Sequence, residues 1–342
     1  MTLPFSRGLN FTRWLEAASL NDIVFSRITE NDFINVKKIG VDVIRLPVWM
    51  HRMVSSAPDY TLDKQLFNYL DQAVVWAEKH KLCLILDNHS FHPIEPTDPK
   101  IGSILIPVWT QIARHYKDRS KYILYEILNE PHHIDTKIWA PIQDKVVKAI
   151  RAIDQVHAII VGGVNYNSID ELINLPVINS NNIIYTFHFY DPHVFTHQGE
   201  TWGHPPNLRN LKGLPFPADA HSMPEIPSDL KGSWYERLIK ESYSHIATSE
   251  ALAAQLDKAV AFSRANGNIP LYCGEYGVHI PNALHEDRVR WYTAVTRLLD
   301  ERNIARTSWD YFGSFGILNE PRTGDFSRDL NKDIAKAMCF SV

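Results

Sequence analysis

Two short stretches hold the residues best suited to chemistry: Leu128-Asn129-Glu130-Pro131 and Gly274-Glu275-Tyr276-Gly277. Each closes a run that reads as a buried strand, Tyr122-Ile123-Leu124-Tyr125-Glu126-Ile127 before the first and Ile269-Pro270-Leu271-Tyr272-Cys273 before the second. Two carboxylates at strand ends are the pair that cleavage of a glycosidic bond needs: one protonates the leaving oxygen, and the other attacks the anomeric carbon. A separation of about 5–5.5 Å retains the anomeric configuration, whereas about 6.5–9.5 Å admits an inverting water.

Carboxylates so distant in sequence must be gathered by a repeating scaffold. Strand-like runs fall at roughly 6–10, 41–46, 82–88, 122–129, 157–162, 183–190, 269–275 and 305–311, with helical patterns between them. Leu66, Leu70, Val74 and Ala77 recur at helical spacing, as do Ile138, Ile142, Val146, Ile150 and Ile153, and then Val289, Tyr292, Val295 and Leu299. Near-continuous apolar strands suit a parallel sheet covered on both faces. Eight such units, with no glycine-rich phosphate loop after the first strand, favour an α/β fold of the (β/α)8 TIM barrel type, in a single domain spanning 1–342. In a barrel the carboxyl ends of all strands share one opening. Those ends read Asn10, Arg45, His89, Asn129 with Glu130, His188 with Tyr190, Glu275 and Trp309. Chance would scatter such groups along strands and helices.

The stretch from about 192 to 249 breaks the rhythm, with many Pro and Gly and the aromatics Phe195, Trp202, Phe216, Trp234 and Tyr235. It reads as a long loop after strand six that overhangs the opening as a cleft wall; a mobile surface loop is the plainer alternative.

Composition narrows the classes. The 342 residues are 45% hydrophobic and carry a net charge of −4 without long blocks of one sign, so neither nucleic acid nor a membrane surface is an expected partner. Cys83, Cys273 and Cys339 form neither a disulfide framework nor a metal-ligand spacing. No charged segment followed by an apolar stretch opens the chain, so no secretory signal is visible and the compartment stays open.

Six pieces, Arg45-Leu46-Pro47, Asp87-Asn88-His89, Leu128-Asn129-Glu130-Pro131, His188-Phe189-Tyr190, Gly274-Glu275-Tyr276-Gly277 and Ser308-Trp309, span nearly the whole chain. In that order the set resembles the retaining glycoside hydrolases of family 5, which include many cellulases. Thr196-His197-Gln198-Gly199 followed by Trp202 also looks like bacterial endoglucanases of this family. The resemblance implies Glu130 as acid/base and Glu275 as nucleophile. It implies Asn10, Arg45, His89, Asn129, His188, Tyr190, Trp202 and Trp309 as the substrate-binding set, with Asn129 on the sugar 2-hydroxyl and Trp309 as the floor of the −1 sugar. Some relatives carry a second histidine where this chain has Ser90, with His92 two positions further on. The implied reaction is endo-hydrolysis of β-1,4-glucosidic bonds in cellulose or β-glucan without a cofactor; the sequence does not fix the oligomeric state, and a monomer is the expectation. β-Mannan, xyloglucan and mixed-linkage glucan are alternatives within the same mechanism.

Charge states what those roles require. Glu275 must be ionised, and Arg45 and the Tyr190 hydroxyl, which the resemblance places beside it, are the candidates to lower its pKa. Glu130 must start protonated, which the negative Glu275 favours. Glu126 shares strand parity with Glu130 and is expected to pair with a buried arginine. A second Leu-Asn-Glu-Pro at 318–321 lies beyond strand eight in a loop-like context and reads as coincidence. His89, His188 and a glutamate could ligate zinc, but glycoside chemistry here needs no metal. His193, His197 and His204 are expected in solvent, and Trp14 and Trp49 either stack on sugars or fill the core. From another class, the sequence also allows a carbohydrate-binding barrel without turnover.

Overall fold

Short strands that are apolar on both faces must be covered twice, and the chain does this by closing them into a ring inside a shell of helices. The computed structural model describes residues 3–92, 94–203 and 206–342. Strands β1 (Arg7–Asn10), β2 (Val43–Val48), β3 (Cys83–Asn88), β4 (Ile123–Glu126), β5 (Ala158–Gly162), β6 (Ile183–Phe189), β7 (Leu271–Tyr276) and β8 (Ala305–Ser308) pair in sequence order. All pairs are parallel, and β8 returns to β1 through Arg7↔Arg306 and Gly8↔Thr307. The expected (β/α)8 barrel is the observed fold.

Between the strands run α1 (Glu30–Lys38), α2 (Lys64–His80), α3 (Gly102–Tyr116), α4 (Thr136–Arg151), the short α5 (Ile169–Leu172), α6 (Ser249–Ala265), α7 (His285–Glu301) and α8 (Lys332–Ala337). Side-chain caps fix several starts: Asp63 accepts from Gln65 N, Asp135 from Lys137 N and Thr248 from Ala251 N. In α2 the spaced residues Leu66, Leu70, Val74 and Ala77 are all fully buried. The stripe of α4 differs from the expected one. Ile138 is 44% exposed and Trp139 is buried instead, its Nε1 donating to the Gly162 carbonyl at 2.9 Å, while Val146 and Ile150 are buried as expected. Among the described residues no helix is long and apolar enough to cross a membrane.

Inside the ring, inward side chains form layers. A lower cluster contains Val43, Ile85, Leu124, Ile160, Ile184 and Tyr272. Two residues further along three of these strands stand Arg45, Asp87 and Glu126, so the period of two places a charged layer directly above the apolar one. Strand ends depart from the sequence reading at β4 and β8, which stop at Glu126 and Ser308. Beyond them the chain bends across to its neighbours through Asn129 N to Asn88 O at 3.1 Å and Trp309 N to Tyr276 O at 3.0 Å.

The stretch 192–249 is not a bare loop. It contains helical turns at His193–Thr196 and Ser228–Leu230, then a helical segment over 234–246 with a π turn at Leu238–Ser242. Phe195, Leu208, Leu211, Leu214, Phe216, Leu230 and Tyr243 are buried, and the Tyr243 hydroxyl donates to Pro215 O at 2.8 Å. Phe195 and Phe216 are therefore core, and Trp202 and Tyr235 are the aromatics left to face the opening.

Candidate active site

Arg45 is the centre from which the site is built. Its Nε and Nη2 grip both oxygens of Glu126 at 2.8 and 2.9 Å. Nη2 also reaches Asn129 Oδ1 at 2.7 Å and Asp87 Oδ2 at 3.0 Å, while Nη1 donates to Asn10 Oδ1 at 2.9 Å and Glu275 Oε1 at 2.8 Å. A planar fork with five donors can hold so many oxygens at fixed angles, and an ammonium cannot. Arg45 is fully buried, and its neighbours Asp87, Glu126 and Glu275 keep it charged.

A bulge aims Glu275. Phe187 pairs with Cys273 and His188 with Glu275, so Gly274 is an extra residue in β7. A Cβ on Gly274 would stand 2.9 Å from Thr186 Oγ1 and 3.1 Å from His188 Nε2, which is why glycine fits there. Its carbonyl is pinned by Asn10 Nδ2 at 3.1 Å and Thr307 Oγ1 at 2.6 Å. The second Glu275 oxygen accepts from the Tyr190 hydroxyl at 2.9 Å. Burial alone pushes the Glu275 carboxyl up; the charges of His188, Arg45 and His89 with the Tyr190 hydrogen bond outweigh it and hold it below its ordinary value of 4.5. Burial and the adjacent Glu275 charge raise Tyr190 well above its usual range, so it keeps its proton and donates.

Opposite lies Glu130. His188 Nδ1 is 2.6 Å from Glu130 Oε1 and 3.6 Å from Glu275 Oε2, a bridge between the two carboxylates. One oxygen of each glutamate and a His188 ring nitrogen lie within 4.8 Å of one another. Oxygens this close are compatible with the shorter, direct-attack separation of the two carboxyl groups. The same three atoms could meet a cation, but Glu275 already spends both oxygens on Arg45 and Tyr190, and Glu130 is held by His188. His89 stacks on Trp309 with centroids 5.3 Å apart and planes at 15°. Burial works against its charge, but Asp87 at 2.6 Å from Nδ1, with Glu16 and Glu275, pushes its pKa up to about 9.

These groups open into a cavity of about 750 Å³. Of the residues expected from the sequence, His89, Asn129, Glu130, His188, Tyr190, Trp202, Glu275 and Trp309 line it. Asn10 and Arg45 do not. Asn10 is fully buried, with its amide nitrogen on the Gly274, Thr307 and Ser308 carbonyls and its oxygen on Arg45, so it supports the site from beneath rather than touching a sugar. The guanidinium of Arg45 is likewise spent on protein oxygens. Asn129 gives its oxygen to Arg45, which leaves the amide nitrogen as its polar edge toward the cavity.

Other expectations sort cleanly. Glu126 pairs with Arg45, Glu320 is exposed outside the cavity, and Trp14 is buried and stacked on Trp76. Trp49 borders a second hollow of about 250 Å³ that also touches Glu130. His193 and His197, expected in solvent, line the main cavity with rings stacked 4.0 Å apart. His204 lies outside the described residues. Tyr235, one of the aromatics noted on the 192–249 stretch, lines the cavity as well, and so do Phe91, Asn165, Tyr166 and Gln255, which the sequence did not single out. The only sequence signal of Phe91, Asn165 and Tyr166 is position after β3 or after β5, and Gln255, on α6, gave none.

Comparison with known proteins agrees with this geometry. The profile described as cellulase (glycosyl hydrolase family 5) matches residues 10–315. Endoglucanase C of Acetivibrio thermocellus is 31% identical over 336 residues, covering 94% of this chain and 95% of the relative. The crystal structure of an endoglucanase from the hyperthermophile Thermotoga maritima superposes with a TM-score of 0.80 at 26% identity, over 97% of this chain and 96% of that one. A further structure of that protein, described as a complex with mannotriose substrate, matches with a TM-score of 0.80 at 26% identity over 98% and 97% of the two chains. With the profile spanning most of its length, the chain belongs to glycosyl hydrolase family 5.

Proposed function

We propose that the protein is a retaining endo-β-1,4-glucanase acting on cellulose or soluble β-glucans, with the whole chain serving as one catalytic unit. The observation that carries this reading is the pair of glutamates in one cavity, an oxygen of each within 4.8 Å. Glu275, ionised and oriented by Arg45 and Tyr190, attacks the anomeric carbon and forms a covalent ester. Glu130 gives its proton to the departing glycosidic oxygen, then takes one from the water that hydrolyses the ester. Asn129 holds the 2-hydroxyl, Trp309 backed by His89 forms the flat floor under the −1 sugar, and Trp202 lines the cleft beyond. β-Mannan is the second reading, favoured by the mannotriose complex of the Thermotoga maritima enzyme.

The test is hydrolysis of a panel of β-glucans and β-mannans with products sized, on wild type and Glu275→Gly. Wild type should release short cello-oligosaccharides from internal bonds. The variant should lose about 10⁴-fold in rate and regain activity on an activated aryl cellobioside with azide, giving an α-glycosyl azide. A β-configured azide would reassign the nucleophile, and cleavage of mannan alone would replace glucan as substrate.

A further inference from the structure

The smaller hollow of about 250 Å³ meets the main cavity at Glu130 and Phe91, which line both. Its walls come from the ends of three neighbouring strands: Trp49 and His51 after β2, Ser90 after β3 and His132 after β4. Ser90 is the position where some relatives carry a histidine. Its hydroxyl donates to Asn88 Oδ1 at 2.7 Å and accepts from His51 N at 2.9 Å, so a small side chain is tied down on the wall. An imidazole in its place would project into the space that the serine leaves. His92 does not fill that space in its stead. It is exposed, and its Nδ1 accepts from Ile94 N and Glu95 N of its own loop at 3.3 and 3.2 Å.

The lining suits a neutral, hydroxyl-bearing group. With Asn88 Oδ1 turned to Ser90, the Asn88 amide nitrogen donates to His51 Nε2 at 3.1 Å, which puts the ring proton of His51 on Nδ1. Burial pushes His51 down to about 4, so that ring stays neutral, and its Nδ1–H has no partner among the described residues. His132 Nδ1 donates to the Glu130 carbonyl at 2.8 Å, and its buried Nε2 has no partner among the described residues either. A sugar hydroxyl both donates and accepts, which matches ring nitrogens of either kind, and the Trp49 indole offers an apolar wall to C–H groups. At about 250 Å³ the hollow is smaller than the ~300–1,000 Å³ of ordinary ligand sites, with room for one sugar ring rather than a chain.

Chain geometry selects the sugar that can reach it. Asn129 follows β4 and holds the 2-hydroxyl of the −1 sugar, so that sugar turns its 2-hydroxyl edge toward β4. In a β-1,4 chain each sugar is turned over relative to the one before. The leaving-group sugar therefore brings its 6-oxygen to the same side, beside Glu130, where the hollow opens.

We propose that the hollow beside Ser90 is a binding site for a single monosaccharide branch on the 6-oxygen of the leaving-group sugar, so that the protein cleaves branched as well as linear β-1,4-glycans. This rests on the retaining endo-glycanase reading. An α-xylosyl group on a glucan backbone and an α-galactosyl group on a mannan backbone present the same chemistry, a neutral pyranose on a flexible 6-oxygen link.

The test compares linear cellohexaose and mannohexaose with the same chains carrying one α-1,6-xylosyl or α-1,6-galactosyl branch, respectively, on an internal sugar. Wild type should cut on the reducing-end-directed side that leaves the branched sugar at the new non-reducing end of a product. The two arms tell a xylosyl from a galactosyl branch. Ser90→His should lower kcat/KM on the branched chain at least tenfold and leave the linear chain within threefold. Ser90→Ala, which drops the hydroxyl but keeps the space, should stay within threefold on both. Equal losses on branched and linear chains, a Ser90→Ala loss as large as that of Ser90→His, or wild-type products with the branch only at new reducing ends or away from the cut would each overturn the branch site. Wild-type enzyme that leaves both linear chains uncut would instead refute the endo-glycanase reading beneath it.

Discussion

One guanidinium facing three buried carboxylates sets the electrostatics of the site. Arg45 touches Asp87, Glu126 and Glu275 at 3.0, 2.8 and 2.8 Å, and only Glu275 of the three also faces the cavity. Asp87 and Glu126 thus hold the cation, and the cation holds Glu275. Glu130 is held differently, by His188 alone among these charged groups, and that looser tenure suits a group that must pass a proton in both directions. Glu130→Ala should therefore slow β-glucan hydrolysis by about 10³-fold, the usual range for a lost general acid. β-Cellobiosyl fluoride, whose leaving group needs no proton, should slow by less than about tenfold in the first step. Steady-state rates on both substrates, with azide added to release the ester, check this. Equal slowing of both would mean that Glu130 is not the donor.

At the level of elements, the bulge between β6 and β7 decides where two of the key side chains point. Gly274→Ala would drive a methyl toward His188 Nε2 and Thr186 Oγ1, at 3.1 and 2.9 Å before relaxation. Because His188 bridges both glutamates, kcat should fall by about 10- to 100-fold while KM changes less than about twofold, with a drop in Tm of a few degrees. Michaelis–Menten kinetics and a thermal melt separate these effects, and wild-type kcat would show that His188 tolerates the shift. The sequence made the eight strands and their order legible, since apolar runs and helical spacing are local. It also marked both glutamates, because each ends such a run. The bulge escaped it, because a strand buried on both faces has no alternation for an extra residue to break. Its place at a strand end brought Asn10 to the site but could not reveal that carbonyls and Arg45 had already claimed its amide. The 192–249 stretch looked aperiodic because its apolar residues pack as a small irregular core.

Across the molecule, opposed pKa shifts define a pH window. His89 is raised from 6.5 to about 9, so the stability it contributes is complete below pH 6.5 and is lost as pH rises through about 9. A shift of that size corresponds to about 3 kcal/mol at most. Glu275 is lowered from 4.5, so its contribution is complete above that pH and disappears as pH falls through its folded value. Denaturant midpoints should be highest between about pH 5 and 6.5 and decline toward pH 9, and His89→Gln should flatten the alkaline decline. Activity should fall on the acid side only below the ordinary carboxylate range, as Glu275 gains a proton. A midpoint that climbs from pH 6.5 to 9 would contradict the assignment.

The polar net also crosses the ring of strands. Asn10 stands on β1, Arg45 on β2, Asp87 on β3, Glu126 on β4, His188 on β6 and Glu275 on β7. Parting any of these staves disturbs the alignment of the whole set, so catalysis cannot be disabled by partial loosening that spares the hoop. In a urea series, residual turnover and near-ultraviolet circular dichroism should vanish along one superimposable curve; a plateau of intact ellipticity without turnover would show that the two are separable.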